Sequence, residues 1–200
     1  MRPAPLYGRI AKKKRKVGNM ADLRENIARI LLTEEELQAK VAEMAALISE
    51  DYKDKQLLLV GVLKGSMVFM ADLMRKLNIN AKIDFMSVSS YGSSTVSSGQ
   101  VRIILDLKRP VENYDLLLVE DILDSGATLS YLKELLLARQ PKSIRIATLL
   151  DKPERRKANI AADYRGFEIP DEFVVGYGLD YDEDYRNLPF IGVLRPEAYA

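Results

Sequence analysis

Leu116-Leu117-Leu118-Val119-Glu120-Asp121-Ile122-Leu123-Asp124-Ser125-Gly126-Ala127-Thr128-Leu129 is the stretch on which the reading of this 200-residue chain turns. The unbroken apolar run from Leu116 to Val119 is the pattern of a strand buried on both faces, as in a parallel sheet. It leads directly into two adjacent acids, Glu120 and Asp121, and Asp124 follows after two apolar residues. Ser125-Gly126-Ala127-Thr128 then opens a helix. In open α/β sheets the carboxyl ends of the strands are where ligands bind. A helix N-terminus offers backbone N–H groups to an anion, notably a phosphate, and Gly126 lets the backbone approach it closely. Three carboxylates beside such a turn repel a phosphate unless a divalent cation or a sugar diol stands between them. An acidic turn with an ordinary helix cap accounts for Asp124 or Ser125 taken singly, but not for the whole run.

Around this segment, strand and helix patterns alternate. Thr33-Glu34-Glu35-Glu36 fits a capping box, with Thr33 as N-cap. Leu37, Val41, Met44, Ala45 and Ile48 follow at helical spacing. Leu57–Leu63 is a continuous apolar run and predicts a buried strand, Ser66–Leu77 a helix, and Ala81–Val88 a second strand. Ser89–Gly99 is rich in Ser and Gly and predicts a mobile loop. Further strands are expected at Val101–Leu107, Leu116–Glu120 and Ser143–Leu149, with a helix over Gly126–Arg139. The alternation argues for an α/β domain with a mainly parallel sheet. Ile169–Leu194, rich in Tyr, Asp and Gly, predicts a short strand and a hood-like lobe over the sheet edge.

Composition excludes several chemistries. Apolar residues make up 48% and charged residues 30%, a balance suited to one globular domain. Cysteine and histidine are both absent. Thiol nucleophiles, disulfides, Ser-His-Asp triads and His- or Cys-ligated zinc are therefore excluded. Acid–base work falls to Asp, Glu, Lys or Tyr, and any metal is expected to be hard and oxygen-ligated, Mg²⁺ or Mn²⁺. No apolar run approaches the roughly 18 residues of a membrane span, and no apolar stretch follows the basic start as a secretory signal requires. A cytoplasmic location is the expectation.

The net charge of +1 is unevenly spread. Residues 1–19 hold seven basic and no acidic residues, leaving 23 basic against 29 acidic in the rest, a net of −6. That body does not fit a nucleic-acid binder. Residues 1–19 read as a disordered basic tail or leader. Within them Lys12-Lys13-Lys14-Arg15-Lys16-Val17 resembles a nuclear-import signal, against the plainer reading of a solvated extension, and Met20 is a second candidate start.

The Glu120–Thr128 segment resembles the phosphoribosyl-pyrophosphate signature of type I phosphoribosyltransferases. That resemblance implies a Rossmann-like, mainly parallel sheet flanked by helices, with a small hood built from the N-terminal helix region and residues 165–200, over a domain spanning 20–200. It implies that Glu120 and Asp121 hold the ribose hydroxyls, partly through Mg²⁺. It also implies that Asp124, Ser125, Gly126, Ala127 and Thr128 bind the 5′-phosphate. Ala127 departs from many relatives, which carry a larger or polar residue, but its backbone N–H remains.

Other motifs resemble the hypoxanthine-guanine branch of the family and occur in the family's order. Leu63-Lys64-Gly65-Ser66 is similar to its pyrophosphate loop, which implies a cis peptide between Leu63 and Lys64. Ser90-Tyr91-Gly92-Ser93-Ser94-Thr95 resembles a catalytic lid, which would shut water out of the reaction. Lys152, in Asp151-Lys152-Pro153, matches a lysine that donates to the purine 6-oxo group. Phe167–Tyr181 followed by Arg186-Asn187-Leu188-Pro189 resembles the purine-binding hood. There Phe173 would stack on the base, the Val174 backbone would read its edge, Asp180 would meet Mg²⁺ directly or through an intervening group, and Arg186 would contact pyrophosphate. The implied activity is transfer of phosphoribose from phosphoribosyl pyrophosphate to hypoxanthine or guanine in purine salvage, giving IMP or GMP, with Asp124 as proton acceptor and Mg²⁺ as cofactor. A homodimer or homotetramer is also implied. Two alternatives stand beside it: a nucleotide-binding regulator on the same scaffold, and a relative acting on xanthine or a pyrimidine. The Phe173–Asp180 run argues against pyrimidine.

Overall fold

The computed structural model describes residues 20–90 and 101–199. The basic tail and the greater part of the expected lid, Tyr91 included, lie outside the described residues. A short helix, α1 (Met20–Glu25), and strand β1 (Ile27–Leu32) precede the long helix α2 (Glu34–Asp51). Thr33 caps α2 reciprocally: the Glu36 amide donates to Thr33 Oγ1 (3.2 Å) and the Thr33 amide donates to Glu36 Oε2 (2.8 Å). Leu37, Val41, Met44, Ala45 and Ile48 are all buried, as their spacing predicts.

The central sheet has six strands: β2 (Leu57–Leu63), β3 (Ala81–Ser90), β4 (Val101–Leu105), β5 (Asp115–Leu123), β6 (Ser143–Asp151) and β7 (Tyr164–Glu168). Their order is β4-β3-β2-β5-β6-β7, and every pairing is parallel except β3 with β4. Helices α3 (Met67–Lys76) and α4 (Ala127–Leu137) make two of the crossovers. Successive strand residues point to opposite faces. Leu57, Leu59, Leu117 and Val119 pack on the α2 and α3 side, with Val41, Phe69 and Leu73. Leu58, Val60, Leu116 and Leu118 pack on the α4 side, with Leu129 and Leu132. Both faces are covered, so β2 and β5 read as unbroken apolar runs in the sequence.

Several boundaries differ from the sequence reading. β5 continues past Glu120 to Leu123, because Glu120, Ile122 and Leu123 still pair with Thr148, Leu150 and Asp151 of β6. The helix expected from Ser66 begins at Met67, and Ser66 instead turns its buried hydroxyl to donate to Val62 O (2.6 Å). β4 is antiparallel. Only residues 91–100 separate it from β3, too short a connection for the crossover that a parallel neighbour requires. Strands β1 and β7 were not expected. β1 has a mixed, half-exposed surface, and its partner is β9 (Ile191–Leu194), distant in sequence. β7 is an edge strand on β6.

A second, antiparallel sheet, β1-β9-β8, with β8 at Val174–Val175, forms the hood. It has its own small core of Val175, Tyr185, Leu188, Phe190 and Leu194. Phe173 and Val174 stand at the start of β8, and the turns between β8 and β9 carry Asp180, Glu183 and Arg186.

Candidate active site

Strand β5 delivers Glu120 and Asp121 to the carboxyl edge of the sheet, and α4 starts six residues later. Gly126 is the N-cap of α4 in the left-handed conformation (φ 81°), and a Cβ there would stand 2.6 Å from Ile160 Cγ2. Conformation and packing both require glycine at this position. Ser125 O accepts the amides of Lys157 (2.9 Å) and Ala158 (3.1 Å), which brace the turn from outside. The first-turn amides of α4 lack intrahelical acceptors. They face a concavity of about 140 Å³ lined by Glu120–Gly126, Thr128 and Leu129.

A second concavity, of about 240 Å³, shares Glu120, Asp121 and Thr128 with the first and extends to Leu63, Gly65 and Val88. The Leu63–Lys64 peptide is cis. A Cβ on Gly65 would fall 1.5 Å from Asp121 Oδ2, so only glycine lets this loop lie against the acid. Gly65 O in turn sits 2.1 Å from where a Cβ of Gly178 would be, and Gly178 has φ 102°. The loop after β2 is thus held between the β5 acids and a hood turn. The two concavities form one cleft: a helix N-terminus at one end, a cis-peptide loop at the other, and two carboxylates between.

Burial pushes the Glu120 carboxyl well above the usual carboxylate range, and the neighbouring Asp121 charge adds to the rise. Burial also raises Asp121, against the Ile122 amide, which donates to its Oδ1 at 2.7 Å. Two adjacent carboxyls disfavoured as anions suit a cation or hydroxyl donors as partner. Among the described residues no three Asp or Glu side chains gather into a metal cage. Asp180 in particular is engaged elsewhere: its Oδ1 lies 2.9 Å from Arg186 Nη2, and its Oδ2 accepts the Glu183 amide (2.9 Å). Mg²⁺ commonly takes one or two carboxylates together with substrate phosphates. The Glu120–Asp121 pair fits a Mg²⁺ that arrives with its substrate.

On the far side of the turn, Lys152 is 7% exposed, and its Nζ donates to Glu172 O (2.7 Å) and lies 3.7 Å from Asp171 Oδ1. It is a buried cation pinned beneath the hood residue that precedes Phe173, not a solvated strand end. Phe173 is 40% exposed, stacks on Tyr199 (4.8 Å between centroids) and meets Tyr181 edge-on (5.7 Å). Val174 is buried in β8, opposite Val193. Asp124 Oδ1 lies 2.7 Å from Arg155 Nε, an ion-pair contact whose geometry is too oblique for a hydrogen bond. Ser90 ends β3 opposite Val101, while Tyr91 and the rest of the lid lie outside the described residues.

The comparisons with known proteins meet this geometry. A family model for the phosphoribosyl transferase domain matches residues 29–182. The chain belongs to the phosphoribosyltransferase family. It is 58% identical over 177 residues to hypoxanthine-guanine phosphoribosyltransferase of Bacillus subtilis, covering 88% of this chain and 98% of that protein. It is 54% identical over 178 residues to the Staphylococcus epidermidis protein of the same name, covering 89% and 99%. A crystal structure of a hypoxanthine phosphoribosyltransferase from Staphylococcus aureus superposes with TM-score 0.87 at 51% identity, covering 92% of this chain and all of that one. The sheet order and hood described above are therefore those of a type I phosphoribosyltransferase fold.

Within this phosphoribosyltransferase, three site neighbours escaped the sequence reading. Arg155 joins Asp124 to Asp171 (3.2 Å from Arg155 Nη1). Glu183 joins Lys64 to Arg186. Tyr199 covers one face of Phe173. Apart from Glu183 with Arg186, each pairing links residues from different segments, with no local motif to announce it. The one available signal was the double arginine Arg155-Arg156 just after Lys152.

Proposed function

We infer that this protein transfers the 5-phosphoribosyl group from phosphoribosyl pyrophosphate to hypoxanthine or guanine, releasing pyrophosphate and forming IMP or GMP. The observation that carries this reading is the single cleft in which Glu120 and Asp121 lie between the Ser125–Thr128 turn and the Leu63–Gly65 loop. A 5′-phosphate at the helix start, a ribose at the acids and a diphosphate at the loop match that order from end to end. Relatives named for this activity, more than 50% identical over nearly their whole length, support the same substrates.

The α4 amides and the Thr128 hydroxyl hold the 5′-phosphate. Glu120 and Asp121 accept hydrogen bonds from the ribose hydroxyls, and Lys64 and Arg186 offset charge on the diphosphate. Glu120 and Asp121 would hold Mg²⁺, which would supply charge neutralisation for the leaving group. The base stacks on Phe173, the Val174 backbone meets its edge, and Lys152 donates to its 6-oxo oxygen. Such a donor rewards a carbonyl and disfavours the amino group of adenine. N9 attacks C1′ as the bond to pyrophosphate breaks with its electron pair leaving on oxygen, and the proton the base loses passes from N7 to Asp124. Arg155 keeps that carboxylate aimed across the base pocket. The Ser90–Thr95 segment serves as the lid, Asp180 orients Arg186, through which it would act on the metal–diphosphate end of the site, and the protein assembles as a dimer or tetramer.

A panel of radiolabelled hypoxanthine, guanine, xanthine and adenine with phosphoribosyl pyrophosphate and Mg²⁺, scored for nucleotide, tests the reading. Nucleotide from the first two bases is expected, and nucleotide from adenine alone, or from none, overturns it.

A further inference from the structure

Lys64 and Arg186, the two cations assigned to pyrophosphate, are already joined by one side chain. Glu183 Oε2 lies 2.6 Å from Lys64 Nζ, and its Oε1 lies 3.2 Å from Arg186 Nη2. The cations come from different parts of the fold, Lys64 from the loop after β2 and Arg186 from the hood. A carboxylate with one oxygen on each has the charge and the spacing of a bridging phosphate edge.

We propose that Glu183 sets the affinity for pyrophosphate by standing in for one of its anionic edges between Lys64 and Arg186, and that it must release them when pyrophosphate binds. The proposal rests on the assignment of those two cations given above.

Three features make the carboxylate displaceable while the rest stays in place. First, the side chains of Lys64 and Glu183 are each 64% exposed, and ion pairs so exposed are weak. Second, the Glu183 backbone is fixed independently of its carboxylate. It sits in a turn at φ 68°, with its amide donated to Asp180 Oδ2. The side chain can therefore swing without unravelling the turn. Third, Arg186 keeps other anchors once Glu183 leaves: Nη1 donates to Gly178 O (2.8 Å), and Asp180 remains 2.9 Å from Nη2. Displacement of Glu183 thus frees Lys64 to turn to the ligand and unmasks positive charge on a guanidinium that does not move. Asp180 and Glu183 offset the two cations, and a diphosphate entering this end of the cleft gains attraction as Glu183 withdraws.

Isothermal titration of the full chain with inorganic pyrophosphate and Mg²⁺, in the wild type, Glu183→Gln and Glu183→Asp, tests this. Glu183→Gln removes the charge. Glu183→Asp keeps the charge, shortens its reach and suits the positive φ. Both variants are expected to bind pyrophosphate more tightly, by about threefold, the scale of an exposed ion pair. Wild-type binding with unchanged or weaker affinity in both variants overturns the bridging role alone. A gain in Glu183→Gln without one in Glu183→Asp also overturns it, because a diffuse charge effect then suffices. Absence of pyrophosphate binding in the wild type overturns the assignment of Lys64 and Arg186, and the proposal with it.

Discussion

Asp124 meets two requirements that pull in different directions. In the proposed reaction it must face the base as proton acceptor and, as part of the phosphate turn, must not repel the 5′-phosphate. The Arg155 guanidinium, 2.7 Å from Oδ1, places a compensating charge beside this carboxylate. Asp124→Asn keeps the shape and removes the basicity. Its kcat is expected to fall about 10²–10⁴-fold, with KM for phosphoribosyl pyrophosphate changing far less. Steady-state kinetics check this, and wild-type turnover in the variant removes Asp124 from its role. Lys152 combines binding with structure, since it is buried and donates to Glu172 O. Lys152→Met keeps the apolar stem and deletes the donor. The preference for hypoxanthine over adenine is expected to fall by about tenfold or more, and stability by about 1 kcal/mol through the unpaired Glu172 carbonyl. Competition assays and thermal melts read the two effects separately. The Glu120–Thr128 acids were legible in the sequence because their meaning lies in one contiguous run. Arg155 was not, because its importance lies in contacts with Asp124 and Asp171, each many residues away.

The elements differ in how plainly they announce themselves. α2 was readable to its first residue, since a reciprocal Thr33–Glu36 cap and an apolar stripe are both local. Thr33→Ala is expected to lower stability by about 1 kcal/mol, measured by chemical denaturation, with activity retained because the cap stands apart from the cleft. β1 and β7 were not readable. β1 shows a mixed surface and owes its strand geometry to β9, and β7 is an edge strand of five residues interrupted by Gly166. The direction of β4 followed from the length of the loop before it, not from its own residues. The joint between the loop after β2 and the hood belongs to this scale as well. Gly178→Ala places a methyl 2.1 Å from Gly65 O at a φ of 102°. It is expected to weaken phosphoribosyl pyrophosphate binding about tenfold or more while leaving α2 and the sheet cores intact. Unchanged affinity in a titration would show that the hood does not position the Leu63–Gly65 loop.

At the scale of the whole molecule, a mainly parallel sheet packed on both faces carries the cleft with Glu120 and Asp121, and a separate antiparallel lobe carries Val174 and the turns with Asp180 and Arg186. The sheet half was written in continuous apolar runs, because burial on both sides leaves no alternation to obscure. The hood half was legible from its residue pattern only as a short strand and a lobe over the sheet edge, its residue roles only as a resemblance. Its aromatic contact between Phe173 and Tyr199, its latch from Glu183 to Lys64, and its pairing of β1 with β9 all join residues far apart in sequence. Among the described residues no helix is long and apolar enough to cross a membrane. The proposed chemistry depends on one physical premise, that the turn from β5 into α4 is an anion site facing two carboxylates. A crystal structure of the protein with phosphoribosyl pyrophosphate and Mg²⁺ tests it most directly. The expected result is a 5′-phosphate about 3 Å from the amide nitrogens of Ser125–Thr128, with the ribose hydroxyls against Glu120 and Asp121. Ligand bound elsewhere, with that turn making no contact to it, would contradict the premise.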